Sequence, residues 1–133
     1  MKTAIAILFC CAITATGSAS PRSDYMIHCM GCHTMNGQGM PPEVPAFDSL
    51  LGRIVSTPEG RAYMAQVPGA SQSPLDDEQL ASVLTWVLRE FSGDSLPDDF
   101  QDISEQEVSR VRPVTLADPA SVRERLLSKS GSD

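Results

Sequence analysis

The stretch that decides the fold is YMIHCMGCHTMNGQGM, residues 25–40. It contains two cysteines, Cys29 and Cys32, that are separated by two residues, and His33 follows the second directly. Three kinds of site use such a set: a zinc ion bound by sulfur and nitrogen, a redox-active dithiol, and a covalently attached haem. The remainder of the sequence has to discriminate between them.

The N-terminus has the pattern of an export signal, which we predict over residues 1–19. Lys2 supplies the charged start, residues 4–15 form an apolar run without charge, and residues 17–19 are small. The apolar run is too short for an ordinary transmembrane span. We therefore expect a periplasmic protein that is cleaved near Ala19 and is not stably inserted in a membrane. The alternative is an N-terminal anchor that is kept.

The cysteines do not form a disulfide framework. Of the four in the chain, Cys10 and Cys11 lie in the predicted signal, which leaves one closely spaced pair. Small exported proteins that depend on disulfides carry several such pairs. Cys29 and Cys32 are therefore expected to serve another purpose.

The chain is acidic, with a formal net charge of −7. This charge disfavours nucleic acid and anionic membranes as partners. It suits redox protein partners that carry a basic docking patch, because opposite electrostatic fields accelerate their encounter. Solubility alone would account for the same charge.

The apolar pattern predicts an all-α fold. The clearest helix spans residues 76–91, where apolar side chains recur three and four positions apart. Asp76 is its predicted N-cap, Gln79 completes a capping box, and Gly93 is a suitable stop. We predict three further helices: from about Pro21 through both cysteines, over residues 48–56, and from Thr57 to about Gln66. Loops are predicted at residues 36–45 and 67–74.

The composition divides the chain into three parts: the signal at residues 1–19, a domain at 20–92 and an acidic extension at 93–133. The extension has little apolar content, so it either wraps a preformed core or folds on a partner. Capping signals predict two short helices within it, from Ser104 to Val111 and from Asp118 to about Leu127.

Zinc and a dithiol are both disfavoured as explanations of the cysteine pair. Zinc would need His28, Cys29, Cys32 and His33 on one ion, and neighbouring residues do not readily reach one tetrahedral centre. A redox dithiol is expected at a helix N-terminus that follows a strand. No strand pattern precedes Tyr25.

Haem attachment explains both the spacing and the predicted export. Cys-x-x-Cys-His is the pattern of a c-type haem. Thiols on successive helical turns can each form a thioether to one haem vinyl group, and Cys29 and Cys32 have that spacing. His33 would then be the proximal ligand of the iron. Because five residues can match by chance, the wider sequence has to support this interpretation.

From about residue 24 to residue 91 the chain resembles the class I c-type cytochromes. YMIHCMGCH is similar to the attachment helix of that family, VPAFDSLLG to the segment after the haem loop, and LDDEQLASVLTWVLREF to its C-terminal helix. The resemblance implies a small fold of about four short helices around one covalent haem. It also implies that the Pro45 carbonyl accepts a hydrogen bond from the His33 ring, and that Trp86 is the aromatic residue common on the last helix.

The sixth iron ligand is where the sequence departs from this family. Class I cytochromes usually place a methionine in the loop before the last helix, and residues 67–75, VPGASQSPL, contain none. Met64 precedes this loop closely and is our candidate for the distal ligand, although it falls in a predicted helix. The resemblance implies that four other methionines and one histidine lie on the proximal side or on the attachment helix: Met26, His28, Met30, Met35 and Met40.

The leading functional hypothesis is a monohaem electron carrier of the periplasm, not an enzyme, that passes single electrons from a dehydrogenase to a terminal acceptor. The long extension motivates a second hypothesis, a dedicated cytochrome subunit of one periplasmic oxidoreductase. The loop without methionine motivates a third, a catalytic or ligand-binding haem protein whose sixth iron position is open.

Overall fold

The computed structural model of the protein describes residues 19–130. Of the predicted signal peptide, only Ala19 is among them, so this prediction lies outside the described residues. The helices are α1 (Pro21–His28), α2 (Met30–His33), α3 (Leu51–Ile54), α4 (Pro58–Gln66), α5 (Pro68–Ser71), α6 (Asp77–Phe91), a 3-10 turn (Gly93–Ser95), α7 (Glu105–Val111) and α8 (Pro119–Lys129).

The predicted all-α class is confirmed. Across residues 19–130 the only β-type pairing is one isolated bridge between Met40 and Val44. None of the helices in this range is long and apolar enough to cross a membrane.

Helix α6 is the central element and begins where its capping signals predict. The Asp76 Oδ1 atom accepts from the Gln79 N–H at 2.8 Å, and the Gln79 Oε1 atom accepts from the Asp76 N–H at 3.0 Å. After Ser92 the chain leaves the helix through Gly93, whose φ of 55° suits a glycine at this position. The helix contributes six buried residues to the core: Leu80, Ala81, Val83, Leu84, Val87 and Leu88.

The predicted attachment helix is divided at Cys29 into α1 and α2. Cys29 has a φ of −119°, which departs from helical geometry. Its N–H still donates to the Tyr25 carbonyl at 2.9 Å, and its carbonyl accepts from the His33 N–H at 3.0 Å. The hydrogen bonds therefore run through the break, and the two cysteines keep the spacing of successive turns.

Three other elements test the helix predictions. Helix α4 has the predicted bounds, with the Thr57 Oγ1 atom accepting from the Gly60 N–H at 3.1 Å. Helix α3 is shorter than predicted, because the Asp48 carboxylate accepts from the Leu50 N–H at 2.8 Å and closes a turn before the helix. Helix α5 is one turn inside a predicted loop, with Pro68 in its first turn.

The C-terminal extension folds against its own chain. Helix α7 packs on α6 and α4, and α8 packs on α4 and α3. Three side chains of the extension are buried in the same core as α6: Ile103, Val108 and Leu126. Of the two possibilities that the sequence left open, the structure therefore favours an extension that wraps the core.

One arginine joins the extension to α4. The Arg61 guanidinium donates to both Glu107 carboxylate oxygens, at 2.7 Å and 2.9 Å, and to the Gln101 carbonyl at 2.9 Å. It also lies over the Phe100 ring, 5.4 Å from its centroid. The Arg61 hydrogen bond is the largest cause that lowers the pKa of Glu107, from 4.5 to about 2.

We expect Glu107→Gln to lower the free energy of unfolding at pH 7 by about 1–2 kcal/mol, because a charge-assisted bidentate pair is lost. The Glu107 pKa is lowered on folding, so its contribution is complete above pH 4.5 and disappears as the pH falls through about 2. Urea unfolding between pH 7 and pH 2 should therefore show a weaker acid dependence in the variant.

The matched control is Glu105→Gln, which removes an exposed acid from the first turn of the same helix. Its acid dependence should equal that of the wild type. An unchanged unfolding midpoint and acid dependence in Glu107→Gln would contradict the assigned role of this pair.

Candidate haem attachment site

The motif cysteines are both unpaired thiols. Cys29 is half-buried at the junction of α1 and α2, and Cys32 is exposed within α2. The Cys32 N–H donates to the Cys29 carbonyl at 3.1 Å, so the two residues are joined by a single helical turn. This local structure offers two thiols at neighbouring positions for attachment of one group.

The acidity of Cys29 disfavours a redox dithiol. Burial raises the pKa of the Cys29 thiol to about 11, and the Asp24 carboxylate and Cys32 add to the increase. Reactive dithiols depend on a thiolate whose pKa is lowered. Cys29 has the opposite electrostatic environment.

The metal-ligand geometry also differs from that of a zinc site. Within residues 19–130, no three or more His, Cys, Asp or Glu side chains are grouped so that they could hold a metal ion. Cys29 and Cys32 are therefore not accompanied by the further protein ligands that structural zinc requires.

His33 is placed by stacking, and one of its ring nitrogens lacks a partner. The ring stacks on Phe47 with a centroid distance of 3.8 Å and an interplanar angle of 10°. The Nδ1 atom is buried without a hydrogen bond, which is rare for a buried polar atom. Burial lowers the pKa of His33 to about 4, so the ring is neutral at pH 7, the form that binds metals.

The Pro45 carbonyl does not accept a hydrogen bond from the His33 Nδ1 atom in this conformation. It lies instead against Gly39, where an added Cβ would be 2.7 Å from the Pro45 oxygen. The bond between His33 and Pro45 stays a prediction for the chain with its cofactor bound. The residues present do fit a covalent haem: two unpaired thiols, then a neutral imidazole with an unsatisfied nitrogen.

An aromatic cluster connects the motif to α6. The Tyr25 ring lies 5.0 Å from Trp86 and 5.8 Å from Phe91, measured between centroids. Phe47 stacks on Phe91 at 5.7 Å and on His33, so the cluster continues to the motif histidine. Trp86, the aromatic residue of α6 that the resemblance singles out, is a member of this cluster. The sequence alone did not identify Phe47 as a site residue. Its position two residues after Pro45, which was already a candidate, could have indicated it.

The segment after His33 is held on this cluster. The Tyr25 hydroxyl donates to the Thr34 carbonyl at 2.6 Å. Thr34 has a φ of 54°, which is uncommon for a β-branched residue. Gly37 has a φ of 72° and lies on the Phe91 ring, where a Cβ would approach the ring carbon to 2.9 Å. Tyr25 and Phe91 thus fix the chain on both sides of this turn.

The structure separates the methionines by burial. Met64 is only 4% exposed and lies in the hydrophobic core, on α4. Met26, Met35 and Met40 are exposed. A buried place is compatible with an iron ligand and equally with a packing residue, so the distal role of Met64 stays a prediction.

Within residues 19–130 the chain therefore combines an all-α fold with a Cys-x-x-Cys-His motif, the pattern of c-type haem attachment, and aromatic packing joins this motif to α6. Two proteins named cytochrome c-552, one from Thermus thermophilus and one from a particular strain of that species, are each 26% identical to the chain over 115 residues. The matches cover 73% of this chain and 88% and 78% of the two relatives. No protein-family model matches. The similarity supports a c-type cytochrome.

We expect Tyr25→Phe to lower the free energy of unfolding by about 1 kcal/mol, because it removes the hydroxyl that donates to Thr34 and leaves the ring packing intact. Urea unfolding followed by Trp86 fluorescence would measure the change. Tyr63→Phe is the control, since Tyr63 is also buried and its hydroxyl makes no hydrogen bond within residues 19–130. Equal midpoints for the two variants would contradict the role of Tyr25.

Proposed function

We propose that the protein is an exported class I c-type cytochrome that carries single electrons on one covalently attached haem and is not an enzyme. The observation that carries the proposal is the combination at the motif. Two unpaired thiols lie one helical turn apart, and His33 beside them is neutral and half-buried, with its Nδ1 atom buried without a hydrogen-bond partner. The similarity to proteins named cytochrome c-552 supports the same conclusion.

Different residues of the chain would bind the porphyrin and the iron of the haem. Cys29 and Cys32 would form the two thioether anchors, and His33 would coordinate the iron from the proximal side. Phe47 keeps the His33 ring in place by stacking, and Phe91 of α6 packs on Phe47 in turn. When bound, haem c supplies one-electron chemistry by alternating between ferrous and ferric iron.

The environment and partners are part of the proposal. The predicted signal at residues 1–19 supports a periplasmic location, where a dehydrogenase would supply electrons and a terminal acceptor would receive them. The net charge of −7 supports redox partners with a basic docking patch and disfavours nucleic acid. Electrostatic steering of this kind would weaken as ionic strength rises.

We expect the full chain, exported by a host able to attach haem, to show the reduced and oxidised spectra of a c-type haem. Cys29→Ala and Cys32→Ala should each leave one thioether and move the absorption bands of the reduced, pyridine-treated haem, because one vinyl group then stays conjugated. The double variant should release its haem on acid extraction.

The control is Cys11→Ala, which alters a cysteine of the signal that we predict to be removed on export. Its spectrum should equal that of the wild type. A wild-type protein without any c-type band would end the proposal.

We further propose Met64 as the distal ligand of the iron. It is buried in the part of the chain that precedes the methionine-free segment, residues 67–75. Its sulfur would raise the reduction potential and close the iron to small ligands. An electron carrier needs this closure, whereas an open sixth position would suit a catalytic or ligand-binding haem protein.

Met64→Leu tests this ligand, because leucine keeps the volume of a buried methionine and removes the sulfur. We expect the weak band near the red end of the ferric spectrum, which marks an iron–methionine bond, to disappear and carbon monoxide to bind. Met40→Leu, at an exposed methionine, should leave the band unchanged. A band that persists in Met64→Leu would assign the ligand elsewhere, and its absence in the wild type would favour the open-site alternative.

A further inference from the structure

One arginine of the extension spans both ends of the connection between α5 and α6. The Arg112 Nε atom donates to the Ser71 carbonyl at 3.1 Å, at the C-terminus of α5. One terminal nitrogen donates to the Ser73 carbonyl at 2.6 Å, and the other to the Asp77 carboxylate at 2.8 Å, in the first turn of α6. The Arg112 side chain is 14% exposed, so water screens these bonds little.

The residues around Arg112 continue this contact along the chain. The Leu116 N–H donates to the Gln66 carbonyl at 3.0 Å, and the Gln66 side-chain amide donates to the Val111 carbonyl at 3.2 Å. The Ser71 and Thr115 hydroxyls are 3.0 Å apart. Residues 111–116 therefore lie along residues 66–77 and bind them through polar contacts at both ends.

The hydrogen bonds of Arg112 satisfy the backbone carbonyls of Ser71 and Ser73. A helix of one turn leaves carbonyls without partners at its C-terminus, and α5 is followed at once by the turn that leads into α6. An arginine at such an end satisfies the carbonyls and complements the helix dipole. Because the planar fork of Arg112 reaches Ser71, Ser73 and Asp77 together, it fixes their relative positions, which the single point charge of a lysine would not do.

We propose that Arg112 is a positioning residue of the haem site, which holds residues 71–77 in place and thereby controls access of small ligands to the iron. The inference rests on the proposed function, because the resemblance places the loop before the last helix on the far side of the haem. In this chain that loop contains no methionine. Its geometry is instead imposed by the extension, which acts as part of the site and not as a free docking arm.

The other well-bound arginine of this region does not compete for the role. Arg61 bonds to Glu107 and to carbonyls of the extension, and makes no contact with residues 71–77 among its hydrogen bonds in the described part of the chain. Arg110 is an exposed residue of α7, the helix that ends at Val111 immediately before Arg112. It provides a matched control, because Arg110→Ala removes the same charge two residues away.

The experiment compares wild type, Arg112→Ala, Arg112→Lys and Arg110→Ala as full-length proteins loaded with haem. Hydrogen exchange is measured by mass spectrometry over residues 69–76, together with the rate of carbon monoxide binding and the reduction potential. Haem content is determined first, from the spectrum of the reduced, pyridine-treated protein.

We expect Arg112→Ala to accelerate exchange over residues 69–76 by about tenfold, because the charged hydrogen bonds that close the segment are lost. Carbon monoxide should bind to the iron of Arg112→Ala but not to that of the wild type, which Met64 closes. The reduction potential of the variant should fall, since water that reaches the iron favours its ferric form. Arg112→Lys should give intermediate values, and Arg110→Ala should match the wild type. Arg112→Lys also keeps the test valid if Arg112→Ala does not fold.

Exchange and carbon monoxide binding unchanged in Arg112→Ala would overturn the inference while the haem spectrum upheld the proposed function. Faster exchange with unchanged carbon monoxide binding and reduction potential would overturn the inference too, because Arg112 would then stabilise the fold without affecting the iron. Equal effects in Arg110→Ala would show that the loss of one positive charge, and not the position of Arg112, causes the change. That outcome would also overturn the inference. A wild type without haem would overturn both proposals, and the first measurement would reveal that separately.

Discussion

The packing of Tyr25 is the interaction on which the rest of the structure depends. Its ring lies between α1 and the aromatic side chains of α6, Trp86 and Phe91, and its hydroxyl bonds to the Thr34 carbonyl just after His33. One side chain, 1% exposed, therefore joins α1, α6 and the turn that follows the motif histidine. Burial of the Tyr25 ring stabilises the folded state, and the hydrogen bond of its hydroxyl fixes the orientation of the ring.

The extension is the second constraint, and it compensates for a small core. A chain of this size with few aromatic residues buries little apolar surface by itself. Ile103, Val108 and Leu126 enlarge the core. The half-buried Arg61 binds the extension to α4, and the half-buried Arg112 binds it to the connection before α6. The acidic composition after Gly93 conceals this role, because the apolar residues that pack are spread widely between charged ones.

Local signals in the sequence predicted much of the fold, because capping acts within four residues. Asp76 with Gln79, Ser104 with Glu107, and Thr57 before Pro58 all begin helices as expected. The break at Cys29 was missed because it has no distinctive residue pattern. The single turn of α5 was missed because Gly69, Ser71 and Ser73 favour a loop, which outweighed the helix-start signal of Pro68. Arg112 was missed for another reason: its partners lie about 40 positions earlier, and a contact at that separation leaves no local pattern.

The residues of the candidate site were likewise predictable from the sequence only in part. The motif itself gave Cys29, Cys32 and His33, because their chemistry and their spacing coincide. The stacking of Phe47 on His33 and the hydrogen bond of Tyr25 needed the folded chain, since they depend on how the turn after the motif meets α6. A distal ligand has no spacing rule in this chain, so Met64 rests on its place in the sequence and its burial.

The central claim is that Cys29 and Cys32 hold one haem, and peptide mapping tests it most directly. The exported full chain would be denatured, reduced, treated with a thiol alkylating reagent and digested. We expect one peptide that contains both cysteines, carries the mass of one haem and is not alkylated. Two alkylated cysteines without haem, in a host that attaches haem to a known c-type cytochrome, would contradict it.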